Sequence, residues 1–191
     1  SNVSTMANMF EGAIAFDKAI FNWDVNGVST MASMFKNATV FNSNIFNNVS
    51  STNTDLSSMF QNAAAFNKDI SGWDVSGVIT MPSMFKNATA FNSTIFNNVS
   101  STNTDLSNMF EDATAFNQDI SGWNVSGVIT MASMFNGALA FDKAINTWNV
   151  SNVSTMANMF KNATAFNSTI FNTAGAAVSS TNTDLSNMFQ N

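Results

Sequence analysis

Carboxylates are nearly the only side chains in this chain that could do acid–base or metal chemistry. The sequence holds 12 Asp and Glu against 6 basic residues, all Lys, with no His, Cys or Tyr. Without His and Cys, zinc and most transition-metal sites lack donors. Imidazole general bases and thiolate nucleophiles are likewise excluded. What remains is oxygen chemistry: a pair of carboxylates across a glycosidic bond, or carboxylates stacked as calcium rungs. Asp69, Asp74 and Asp119 invite that reading because they recur beside the same motif. Yet the column holding Asp74 reads Asp24, Val49, Asp74, Val99, Asn124 and Asn149. Either chemistry needs the charge kept, and here it lapses. These groups read better as N-caps or solvated carboxylates. The chain is expected to be non-enzymatic, with no cofactor and no metal.

A second candidate is the run of threonines in Thr52-Asn-Thr54, Thr102-Asn-Thr104 and Thr181-Asn-Thr183. Such ladders order water on ice-binding solenoids when they occupy consecutive coils, about 4.8 Å apart. Here the motif skips coils, so ice binding is a minor alternative. Nucleic acid is an improbable partner: net charge is −6, there is no Arg, and the Lys are scattered. No stretch approaches the ~18 apolar residues of a membrane span.

These columns exist because the sequence repeats. Met-Phe recurs every 25 residues, from Met9-Phe10 to Met159-Phe160, and once more at Met188-Phe189. A strict period of this length is the mark of a solenoid. The 19 Phe fall into three columns and the 13 Met into two, as repeated core would. Charged residues are only 9%, so the surface must be Ser, Thr and Asn.

Within a coil, Met31, Met34, Phe35 and Ala38 have the i, i+3, i+4, i+7 spacing of a short helix. Thr30 and its equivalents Thr5, Asp55, Thr80, Asp105, Thr130, Thr155 and Asp184 suit the N-cap. Pro82 suits the first turn. Gly12, Asn37, Asn62, Asn87, Asp112, Gly137 and Asn162 tolerate the left-handed conformation that ends a helix. An Asn or Asp beside the next core Phe (Asp17, Asn42, Asn67, Asn92, Asn117, Asp142, Asn167) suggests a ladder between coils. Ile70 to Val78 alternates as a strand, with Trp73 and Val75 inward, and its apolar spacing matches the leucine-rich-repeat pattern. Coils carrying Asn-Asn-Val-Ser-Ser-Thr leave two options, a one-residue shift that turns Val49 inward or a broken strand. Four extra residues around Thr173-Ala-Gly-Ala are expected to bulge.

The expected fold is α/β: a right-handed leucine-rich-repeat-like solenoid of about seven 25-residue coils, each a short strand plus a short helix. It forms one array over 1–191, with coils beginning near 3, 28, 53, 78, 103, 128, 153 and 182, and is expected to be an uncapped piece of a longer one. The composite FNxDISGWDVSGVxTMxxMFxNAxAFN, densest at Phe66–Ala90 and Phe116–Ala140, resembles the BspA-like leucine-rich-repeat surface proteins, or mycoplasma-lipoprotein-type surface repeat. That resemblance implies a secreted or surface-anchored, non-catalytic protein of adhesin type. The expected function is an extracellular scaffold binding a host or neighbouring-cell macromolecule on its strand face, through Asp24, Asp74, Asn124, Asn149, Ser76 and Ser126. The alternative is a filament protein that joins to itself end to end through Met6, Met9, Phe10, Leu185, Met188 and Phe189.

Overall fold

A computed structural model describes residues 3–171, 178 and 180–191. Single parallel bridges join Thr5 to Thr30, Thr30 to Asp55, Asp55 to Thr80 and so on to Asp184, and one more joins Ile145 to Ile170. The sequence period is thus a period in space, with each coil laid on the next. The coils are not the expected ones. Among the described residues there is no helix, and strand pairing goes no further than isolated bridges. The α/β solenoid of strand-plus-helix coils is therefore incorrect.

The segment read as a helix is a run of tight turns. Met34 donates its amide to Met31 O at 3.1 Å, Lys36 to Ser33 O at 3.1 Å and Ala38 to Phe35 O at 3.0 Å. The intervening amides leave the coil: Met31 donates to Asp55 O, Ser33 to Ser57 O, Phe35 to Met59 O and Asn37 to Gln61 O, at 2.8–3.1 Å. Ser33 (φ 56°) and Asn37 (φ 62°) stand at the third positions of turns 31–34 and 35–38, where a type II turn needs φ above zero. Both columns hold: Asn8, Ser58, Ser83, Asn108, Ser133, Asn158 and Asn187 match Ser33, while Gly12, Asn62, Asn87, Asp112, Gly137 and Asn162 match Asn37. Pro82 occupies the second position of its turn, which type II favours. The physical reason is the accounting of backbone groups. A two-turn helix leaves its first four N–H and last four C=O groups without partners, nearly all it has. A stack offers a neighbour to every second amide, so the turns win.

The presumed N-caps act without a helix. Asp55 Oδ1 accepts the Ser57 amide at 2.8 Å, and Asp105 Oδ1 that of Ser107 at 2.8 Å. Thr5, Thr30, Thr130 and Thr155 accept the amide two residues on through their hydroxyls.

The presumed strand is also bent. Trp73 donates to Ile70 O and Val78 to Val75 O, so tight turns flank a short extended piece. Its alternation survives, with Trp73 and Val75 buried and Asp74 exposed. In the alternate coils Val49 and Val99 are fully buried while Asn48 and Asn98 are exposed. Val49 and Val99 turn inward as the shift required, but among the described residues these coils hold no strand, so the two options are not exclusive. Asn53 and Asn103 stand buried in the Val28 column, where their Oδ1 atoms accept the amides of Asp55 and Asp105. The expected bulge around Thr173 lies outside the described residues.

Two Phe columns fill the interior. Rings of the Met-Phe column stack at 5.3–5.7 Å from coil to coil. Those of the second column stack at 5.7–6.0 Å. The expected Asn ladder closes the corner beside them: Asn42 donates its amide to Asp17 Oδ1, Asn67 to Asn42 Oδ1, and so on to Asn167 on Asp142 Oδ1, at 2.9–3.0 Å.

Candidate functional site

Asp24, Asp74, Asn124 and Asn149 lie in one exposed column on the face formed by the Trp-bearing segments. Each first serves its own turn. Asp74 Oδ1 accepts the Ser76 amide at 3.0 Å, Asn124 Oδ1 that of Ser126 at 3.2 Å, Asn149 Oδ1 that of Ser151 at 3.1 Å, and Asp24 Oδ1 that of Asn26 at 3.1 Å. Such Asx turns explain why Asn replaces Asp freely: the turn needs the oxygen and not the charge. The Ser76 hydroxyl and amide hold the Asp74 carboxyl below its ordinary range, so it is ionised at neutral pH. Ser76 is exposed and Ser126 half-buried.

Around this column the face is notched. One depression of about 230 Å³ lies between Trp73–Ser76 and the next coil at Asn97, Asn98 and Ser100. A second, of about 380 Å³, lies between Trp23–Asn26 and Asn47–Asn48. Seven of the eight lining positions in each set correspond across 50 residues, with Ser71 in place of Phe21 and Ser76 in place of Asn26. A third, of about 340 Å³, shares Phe21 and Asn47 with the second and continues to Lys68 and Asp69.

The notches form because the two coil types pair unequally. Where a Trp coil follows an Asn-Asn-Val coil, the seam is closed: Asp74 donates its amide to Val49 O and Asn124 to Val99 O, at 3.0 and 3.2 Å. Trp73 Nε1 and Trp123 Nε1 clip the same seam through Phe46 O and Phe96 O. At the opposite seam, the amides of Asn47, Asn48, Asn97 and Asn98 donate to no group among the described residues. The coil shift that buries Val49 and Val99 turns these donors outward. Sequence reading left the register of Asn48 open and did not single out Asn97. The signal that finds them is the 50-residue superrepeat, which sets Asn97 on Asn47.

The threonine runs do not present a free hydroxyl face. Thr52 Oγ donates to Asn26 O, Thr54 to Ser29 O, Thr102 to Ser76 O and Thr104 to Ile79 O. They clip each coil to the one before. Nor does the structure gather carboxylates: no group of three or more metal-donor residues occurs among the described residues. No helix there is long and apolar enough to cross a membrane. Of the candidate assembly residues, Met9 and Phe189 are each 53% exposed and Leu185 is 38% exposed, while Met6 and Met188 are buried and Phe10 is half-buried.

The family model described as Mycoplasma protein of unknown function, DUF285, matches residues 1–100 and again residues 97–191. No curated protein and no solved structure matches the chain.

Proposed function

The chain belongs to the DUF285 repeat family, and from that premise we propose that it is a non-enzymatic extracellular scaffold of adhesin type. Its notched face would bind a host or neighbouring-cell macromolecule. The observation that carries the reading is the pair of matching notches, 50 residues apart in sequence and set in one exposed column. A repeated, weakly featured site suits a repeated ligand, because several weak contacts held on one rigid frame add as avidity. Shallow notches lined by Asn, Ser and Asp favour hydrogen bonding to a polymer over enclosure of a small molecule. The motif resemblance to BspA-like surface proteins supports a cell-surface or secreted location.

The test is a binding panel of immobilised extracellular-matrix proteins and polysaccharides. The chain is expected to bind at least one of them. Asn47→Trp with Asn97→Trp, which fills both notches, is expected to abolish that binding with an unchanged thermal midpoint. Binding that survives both substitutions would overturn the face assignment.

A further inference from the structure

The notches have a spacing as well as a chemistry. They stand two coils apart, which is roughly 10 Å at the 4.7–4.9 Å separation of paired parallel strands. Their lining mixes donors and acceptors at close range. Around the notch at Trp73 these are the Asp74 carboxylate, the side-chain amide of Asn97 and the backbone amides of Asn97 and Asn98, which have no acceptor among the described residues. Around the notch at Trp23, Asn47 and Asn48 repeat the arrangement beside Asp24, and Phe21 adds a ring that is 48% exposed.

We propose, resting on the scaffold reading above, that this face binds a neutral, extended 1,4-linked polysaccharide lying along the stack axis, one disaccharide per notch. A sugar hydroxyl both donates and accepts, which suits a notch that offers a carboxylate beside unpaired amides. An extended 1,4-linked chain turns its successive rings over, so the same edge faces the protein once per disaccharide, over about the length of two coils. The exposed Phe21 ring can take the apolar face of a sugar.

Other polymers fit less well. An extended peptide rises about 3.3 Å per residue, so after three residues its side chains point the opposite way. A polyproline-type helix returns every three residues over about 9 Å, but it presents few donors to the Asp74 and Asn oxygens. Anionic glycans and nucleic acids meet Asp24, Asp74 and a net charge of −6.

The experiment is calorimetric titration of the full chain with cellohexaose and with chitohexaose, each against its disaccharide. At least one hexasaccharide is expected to bind ten-fold or more tighter than its disaccharide, because it spans consecutive notches. The Asn47 and Asn97 side chains are exposed and make no hydrogen bond to another of the described residues, so Asn47→Ala with Asn97→Ala should leave the thermal midpoint unchanged. The same double substitution should weaken the hexasaccharide ten-fold or more. Equal affinity for short and long sugars, or indifference to the double substitution, would overturn the proposal. Preference for a polyproline peptide would overturn it too. Binding of a matrix protein with no glycan binding would sink the glycan assignment and leave the scaffold reading standing, whereas no binding at all would remove both.

Discussion

At the scale of single residues, the polar columns hold turns and seams. Asp105 accepts from the Ser107 amide at 2.8 Å and from its hydroxyl at 2.6 Å. Asp105→Ala should cost about 1–3 kcal/mol by leaving a half-buried amide without a partner, and Asp105→Asn should recover most of it. Urea unfolding of the three proteins checks the order. The carboxylates of the surface turns also make stability depend on pH. The Asn42 amide holds Asp17 below its ordinary range, the Asn167 amide does the same for Asp142, and the Ser121 amide for Asp119. Each folded-state value lies below the unfolded one, so this stabilisation is complete above about pH 4. It is lost as pH falls through the folded values. Asp112 runs the other way, raised by burial and by Glu111 against the opposing pull of Lys86. Its contribution is present at low pH and fades as pH rises, but one group is outnumbered. Thermal midpoints measured from pH 7 down to pH 2 should therefore fall below pH 4, and a flat profile would contradict the ladder.

At the scale of the element, a substitution distinguishes turn from helix. Ser133 has φ 57°, a conformation that costs an ordinary L-residue about 1–2 kcal/mol and glycine almost nothing. Ser133→Gly should be neutral or stabilising, and Ser133→Val destabilising by about 1–2 kcal/mol. In a helix glycine would instead cost about 0.5 kcal/mol relative to serine. Chemical denaturation of the pair decides, and far-UV circular dichroism of the native chain should lack the helical signature. Gly137 shows the same constraint with a second cause. Its φ is 70°, and a Cβ there would meet Asp112 Oδ1 at 2.1 Å.

At the scale of the whole molecule, stability is shared along the stack. Phe85 is fully buried between Phe60 at 5.5 Å and Phe110 at 5.6 Å, with Phe91 at 4.1 Å in its own coil. Phe85→Ala should cost about 3–5 kcal/mol. Because each coil contacts only its neighbours, the loss should spread to the coils on either side. Hydrogen exchange should show faster exchange at amides that cross those seams, such as Phe60 and Asn62, than at Phe135 or Gly137. Equal change throughout would mean that the stack unfolds as one unit.

The repeat length, the Phe and Met columns, the Asn ladder and the left-handed positions at Asn37 and its equivalents were all readable from the sequence. Each is a residue type kept at a fixed interval, and an interval survives whatever backbone carries it. The backbone itself was not readable. Met31, Met34, Phe35 and Ala38 point inward from a chain of type II turns at the spacing a helix would also give. What separates the two is where the amides of Met31, Ser33, Phe35 and Asn37 go, and they go to another coil. The second left-handed column at Ser33 gave little warning, because serine there looks like any exposed polar residue. The notches were hidden for the same reason. Asn97 is unremarkable in the chain, and only the unequal seams of alternating coils leave its amide and that of Asn47 open to a partner.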